Sequence, residues 1–219
     1  SENNAPAERV KRELTKEEWF IILEKAQKAG VPHVIFTGGE PTLREDLPDL
    51  IEKCEELGMV SGLLTDGLRF VDETYKRSIL DEGLDHIMLL GAPQKDLFWK
   101  SLQNLIKEDI AITVHLTLNA FNFAQLQQAL PKLSTTGVTS LSLSACAPNL
   151  EKDLKKLQEQ TIAQGFSLVW DLPVPYSQYN PIAFETNESN KDIAKGAGIA
   201  WLYIEPDGDV LPSQGINQV

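Results

Sequence analysis

Short apolar runs and longer amphipathic stretches take turns along most of this chain. Val34–Thr37, Val60–Thr65, His86–Leu90, Ile112–Leu118, Ser140–Ser144 and Ser167–Leu172 read as strands. Between them apolar residues recur at helical spacing, which predicts helices at about 46–57, 72–82, 95–107, 122–135 and 149–164. An earlier helix opens at Thr15-Lys16-Glu17-Glu18. This is a capping box, in which the Thr15 hydroxyl accepts an amide proton and Glu18 reaches back. That helix puts Trp19, Ile22, Leu23 and Ala26 on one face and stops at Gly30-Val31-Pro32. Short apolar strands separated by helices indicate a parallel sheet, and near-continuous runs such as Ile87-Met88-Leu89-Leu90 suit strands covered on both faces. Right-handed crossovers wind such units into a barrel or an open arc.

The pattern changes near the end. Residues 173 to 195 are polar and aromatic and are punctuated by Pro173, Pro175 and Pro181, which reads as a long ordered loop or a linker. Trp201–Glu205 and Asp209–Leu211 then predict a hairpin around Pro206-Asp207-Gly208. Residues 1 to 14 are polar and contain a proline, and read as a tether or a frayed lead-in. The fold class expected is therefore α/β: a partial (β/α) barrel of parallel strands over residues 1–172, followed by a loop and small hairpin over 173–219.

Composition narrows the function. A net charge of -12 argues against nucleic acid, whose phosphates attract basic patches. No apolar run approaches the roughly 18 residues that span a bilayer. Two cysteines without motif spacing suggest a reducing compartment, hence the cytoplasm.

The stretch Thr37-Gly38-Gly39-Glu40-Pro41-Thr42 follows a strand and precedes a helix, at the ligand-facing end of a βα unit. Two glycines let backbone approach a ligand, and a carboxylate beside backbone carbonyls suits an ammonium group. A tight turn is the plain alternative. Thr65-Asp66-Gly67 occupies the next mouth, as ligand contact or helix-entry turn. Asn119 occupies another, as ligand contact or cap of the following turn.

Taken together, the Gly-Gly-Glu-Pro at residues 38–41, the Thr65-Asp66-Gly67 one unit later and the repeated βα pattern resemble the radical S-adenosylmethionine enzymes. The barrel expected is one lacking its first strand. The resemblance implies that Gly38, Gly39, Glu40, Thr65 and Asn119 contact S-adenosylmethionine, with the Gly-Gly-Glu holding its methionyl amino group. It also implies a four-iron four-sulfur cluster, a protein reductant and a peptide or tetrapyrrole-like substrate for the parent protein. Gly196-Ala197-Gly198 leading to Val210-Leu211-Pro212 resembles the start of the auxiliary-cluster (SPASM/twitch-like) extension found in many members.

Departures from the family pattern are specific. The family's CxxxCxxC loop supplies three thiolates, whereas this chain has only Cys54 and Cys146 and opens where such a loop would have ended. Lys195 and Ser213 stand where the extension often carries cysteines. Met88 and Leu90 stand where members often carry a serine and an acid near the cofactor ribose. No cluster or cofactor is therefore expected bound to this chain alone, and no catalytic residue or metal ligand is assigned. The competing class is a barrel kept as a binding or scaffold domain. Cys54 shares a helix face with Leu50, Ile51 and Leu57 and reads as a buried thiol. Cys146 could reach the mouth but has no second thiol near it. His33, His86 and His115 show no metal-binding spacing. Asp171 ends the last strand, as substrate contact or turn former.

Overall fold

A computed structural model describes residues 12–169, 198 and 201–212. The capping box forms as its sequence dictates. The Thr15 side chain accepts from the Glu18 amide, and Glu18 Oε2 accepts from the Thr15 amide at 2.9 Å. Arg12 ties into the same carboxylate at 2.7 Å, and with the Thr15 bonds it holds Glu18 down at about 2. Helix α1 (Lys16–Lys28) follows. Replacing Thr15 by Ala removes one side of this reciprocal cap. Thermal unfolding should report a loss of about 1 kcal/mol, and no change would show the cap to be redundant.

After α1 the chain runs β1 (His33–Phe36), α2 (Leu47–Glu56), β2 (Val60–Thr65), α3 (Glu73–Leu80), β3 (His86–Leu90) and α4 (Asp96–Leu105). It continues through β4 (Ala111–Leu118), α5 (Phe123–Thr136), β5 (Ser140–Ala145), α6 (Glu151–Ala163) and β6 (Ser167–Leu168). The six strands form one sheet in sequence order, and every neighbouring pair is parallel. A separate antiparallel hairpin pairs β7 (Tyr203–Ile204) with β8 (Val210–Leu211). The expected α/β arc with a small hairpin is the observed fold. The predicted strand to Leu172 is described as far as Val169, whose amide still bonds the Leu141 carbonyl at 2.8 Å. Asp171, Lys195 and Ser213 lie outside the described residues, as does the stretch from 173 to 195.

Strand alternation divides the sheet into two chemically different faces. One set of positions, with Leu63, Ile87, Leu89, Val114, Leu116, Leu141 and Leu143, packs against Ile51, Phe98, Leu102, Leu130 and Leu154 from the helices. This is the main core, and each fully buried side chain of that size contributes roughly 1.5–3 kcal/mol over exposure. Cys54 belongs to a satellite cluster with Leu23 and Met59, and burial together with the Asp85 charge pushes its thiol up to about 12. It is the buried structural thiol that its helix face implies.

The opposite face, turned from the helices, is apolar on one side and polar on the other. Leu64 and Met88 are buried there against Ile35 and Leu90. Along β4 and β5 the same face carries Thr113, His115, Thr117, Ser140, Ser142 and Ser144, by alternation with the core leucines.

The hairpin is not isolated. The Leu14 amide donates to the Pro206 carbonyl at 2.7 Å, and Arg44 Nη2 donates to the Leu14 carbonyl at 2.9 Å. The loop after β1 is thus linked through residue 14 to the hairpin turn. Among the described residues no helix is long and apolar enough to cross a membrane.

Candidate functional site

The loop after β1 leaves the sheet at its carboxyl-terminal edge. Gly38 adopts φ 138, a left-handed value that favours glycine, and a Cβ built there would meet nothing within 4 Å. The backbone at this point is therefore approachable. Glu40 then caps a single 3-10 turn, Pro41–Leu43.

The Glu40 carboxylate joins two mouths of the sheet. Oε1 accepts from the Thr42 amide at 3.0 Å and from the Thr42 hydroxyl at 2.6 Å. It also accepts from the Thr65 hydroxyl, at the end of β2, at 2.6 Å. Oε2 accepts from the Asp66 amide at 2.8 Å. An ionised carboxylate has about four acceptor positions, two on each oxygen. Oε1 is saturated, whereas Oε2 carries one protein bond and can take a further donor.

Thr65 is fully buried, and its hydroxyl also accepts from the Gly67 amide at 2.9 Å. Asp66 Oδ1 accepts from the Leu68 amide, closing the entry turn at 2.9 Å. The Ser101 hydroxyl, from α4, donates to the Gly67 carbonyl. On the other side the Thr42 carbonyl accepts from Arg69 and from the Tyr75 hydroxyl, and the Arg69 guanidinium stacks 3.8 Å from the Tyr75 ring. The first two βα loops therefore form one braced rim. Sequence reasoning singled out Glu40 and Thr65 but did not anticipate that they bond each other. It missed Thr42, Arg69 and Tyr75, for which spacing gives no signal.

Asn119 sits apart from this brace. It is exposed; its Oδ1 accepts from the Phe121 amide at 2.8 Å, and its amide donates to Asn122 Oδ1 at 2.8 Å. That is the turn-capping alternative in geometric form. Cys146 is exposed at the end of β5, with its amide donating to the Leu118 carbonyl at 2.9 Å. Met88 is 2% exposed and packs with Leu64, so this part of the inner wall offers no hydrogen bond.

His115, one of the three histidines without metal-binding spacing, is fully enclosed. Its Nδ1 lies 2.9 Å from the Ser142 hydroxyl and its Nε2 3.0 Å from the Ser144 hydroxyl. Burial pushes its pKa down to about 4, so it is neutral near pH 7. The alternate serines at 140, 142 and 144 were a legible sign of a polar strand face, but their histidine partner was not.

Comparison with known proteins now has a site to refer to. The sequence model of the Radical SAM superfamily matches residues 3–90, which contain the whole of the Glu40 brace. Together with the relatives below, this match supports membership of the radical S-adenosylmethionine superfamily. Over 223 aligned residues it is 30% identical to the PqqA peptide cyclase of Granulibacter bethesdensis, covering 94% of this chain and 54% of that protein. Its fold matches SuiB of Streptococcus suis bound to the precursor peptide SuiA, with a TM-score of 0.66 and 16% identity over 93% of this chain and 54% of that one. The same protein bound to S-adenosylmethionine gives a TM-score of 0.67 at 16% identity, over 95% of this chain and 55% of that one. The chain thus spans about half the length of the relatives it matches.

The superfamily implies an iron–sulfur cluster and S-adenosylmethionine. Cluster irons want several thiolates. This chain has two cysteines, one of them buried on the inner face of α2, so its residues do not fit the cluster. The braced rim does fit one end of the cofactor. An ammonium group needs acceptors, and the open Gly38 backbone and the second acceptor position of Glu40 Oε2 supply them.

Proposed function

We propose that this chain is the barrel core of a radical S-adenosylmethionine enzyme that modifies a peptide. In this reading Gly38, Gly39 and Glu40 hold the amino end of the cofactor, and Thr65 fixes the Glu40 carboxylate. The observation that carries it is the Glu40 brace, which locks two mouths together and leaves an acceptor position on Oε2. The peptide substrate is supported by the relatives, one a peptide cyclase and one bound to a precursor peptide. Residues 1–172 form the barrel in this scheme, and 173–219 form the loop and hairpin of an auxiliary extension. Bound in the whole protein and given one electron by a cluster held outside this chain, the cofactor would supply hydrogen abstraction from substrate, with methionine as the leaving group, and Gly38, Gly39 and Glu40 would hold its amino end. This chain's own part is to bind, orient and shield. The reducing setting suggested by its two free thiols matches a cytoplasmic protein.

A second reading is a barrel kept for binding or scaffolding. It is favoured by the apolar Met88 and Leu90 and by the shortage of thiolates. Two measurements separate them. The whole protein, reconstituted anaerobically, should release 5'-deoxyadenosine from S-adenosylmethionine; none released favours the scaffold. The chain alone should bind S-adenosylmethionine no tighter than about millimolar, since one charge-assisted hydrogen bond of roughly 1.5–3 kcal/mol does not offset immobilising a flexible ligand. Micromolar binding lost in Glu40→Ala would overturn that weakness while supporting the site.

A further inference from the structure

The amino-terminal rim of the sheet, at the other end of the strands from Glu40, brings two histidines together from residues 53 positions apart. His33 opens β1 and His86 opens β3, with β2 between them. Their Nε2 atoms face each other at 3.3 Å, with the rings edge to face at a centroid separation of 4.8 Å.

The bridge depends on what lies beneath it. His86 is registered opposite Gly62, and a Cβ at Gly62 would come within 2.1 Å of His86 Nε2 and 2.3 Å of its Cε1. Only a residue without a side chain lets the imidazole lie across the middle strand. His33 is exposed and His86 half-buried.

Two imidazoles in this position can share one proton, Nε2–H to Nε2. The same separation is also the bite of a tetrahedral metal. With metal–nitrogen bonds of about 2.0–2.1 Å, two ligands on a tetrahedral ion sit about 3.3–3.4 Å apart. Imidazole nitrogen is the ligand that zinc, nickel and copper prefer among those present here. We infer that His33 and His86 form a two-imidazole clamp for a divalent transition-metal ion of the zinc type, with water in the remaining positions. The ion would tie β1 to β3 across β2 at the base of the sheet. The site is independent of the cofactor reading, because it shares no residue with the Glu40 rim.

The test uses untagged protein freed of metal with a chelator and titrated with Zn2+ in a non-coordinating buffer. One ion should bind per chain, and the thermal midpoint should rise with zinc, as linkage requires. His33→Gln and His86→Gln should each weaken binding by at least about tenfold and abolish the midpoint shift, since a single imidazole loses the chelate. Cys146→Ser, and Asp207→Asn with Asp209→Asn, should leave both unchanged. Those variants remove an exposed thiol and two of the three hairpin carboxylates that lie together among the described residues. The imidazole proton resonances of the wild-type protein give a readout that needs no variant. Zinc should move those of His33 and His86 and leave that of enclosed His115 in place. Zinc binding that persists in both histidine variants, or resonances of His33 and His86 that do not respond, would overturn the inference and leave a hydrogen-bonded pair.

Discussion

Lowering the pH from 7 to 4 should cost this protein about 3 kcal/mol of stability through His115 alone. The imidazole is enclosed between β4 and β5, and its pKa falls to about 4 for that reason. In the unfolded chain a histidine takes up its proton near pH 6.5. Between those two values the unfolded state binds a proton that the folded state refuses. Stability is therefore complete above about pH 6.5, declines as the pH drops, and levels off near 4. His86, also depressed by burial and by the neighbouring His33, adds in the same direction. Urea unfolding at a series of pH values measures the slope. Carboxylates contribute their own decline, so the decisive comparison is with His115→Gln. That variant should be less stable at pH 7 because Ser142 and Ser144 lose a matched partner, yet it should show a shallower slope between pH 6.5 and 4. A slope unchanged by the substitution would mean that His115 is reached by protons in the folded state.

Glu40→Ala should be the most damaging single change at the rim, at about 2–4 kcal/mol. It strands the Thr65 hydroxyl and the Thr42 and Asp66 amides together. Glu40→Gln should fall between the variant and the wild type. Its amide oxygen can keep the bonds at one end, but its NH2 group then confronts the Asp66 amide, donor against donor. Equilibrium unfolding in urea decides it: a loss below about 0.5 kcal/mol in Glu40→Ala would show that water substitutes freely for the carboxylate.

The strands and helices were legible because each obeys a local rule. Val60–Thr65 and His86–Leu90 were bounded by polar or glycine-containing turns on both sides, and the observed ends agree with the sequence reading. Asp72 caps α3 through its side chain, and Gly137 ends α5 in the left-handed conformation, both ordinary signals. What remained hidden were pairings between distant residues. Nothing in spacing tells that Glu40 accepts from Thr65, that Arg69 stacks on Tyr75, or that His33 meets His86 over Gly62. The Glu40–Thr65 and His33–His86 pairings depend on how the parallel strands are registered, which crossover geometry sets and the pattern of apolar positions leaves open, and the Arg69–Tyr75 stack depends on the turn that joins β2 to α3. Glu40 was readable as a candidate from its motif; its brace became visible only once β1 and β2 were side by side.

The bond from Leu14 to Pro206 closes nearly the whole described chain into a ring. A contact of such long sequence separation carries a large entropic cost before it gives anything back. The βα units need only local crossovers, so the sheet can assemble without it. The hairpin is then expected to dock after the sheet has formed, through the strip that also anchors Arg44. By the same logic it is the first part to leave. Its opening would free the Leu14 strip and slacken the loop that bears Glu40, so the order in which the protein assembles couples its two ends to the rim between them.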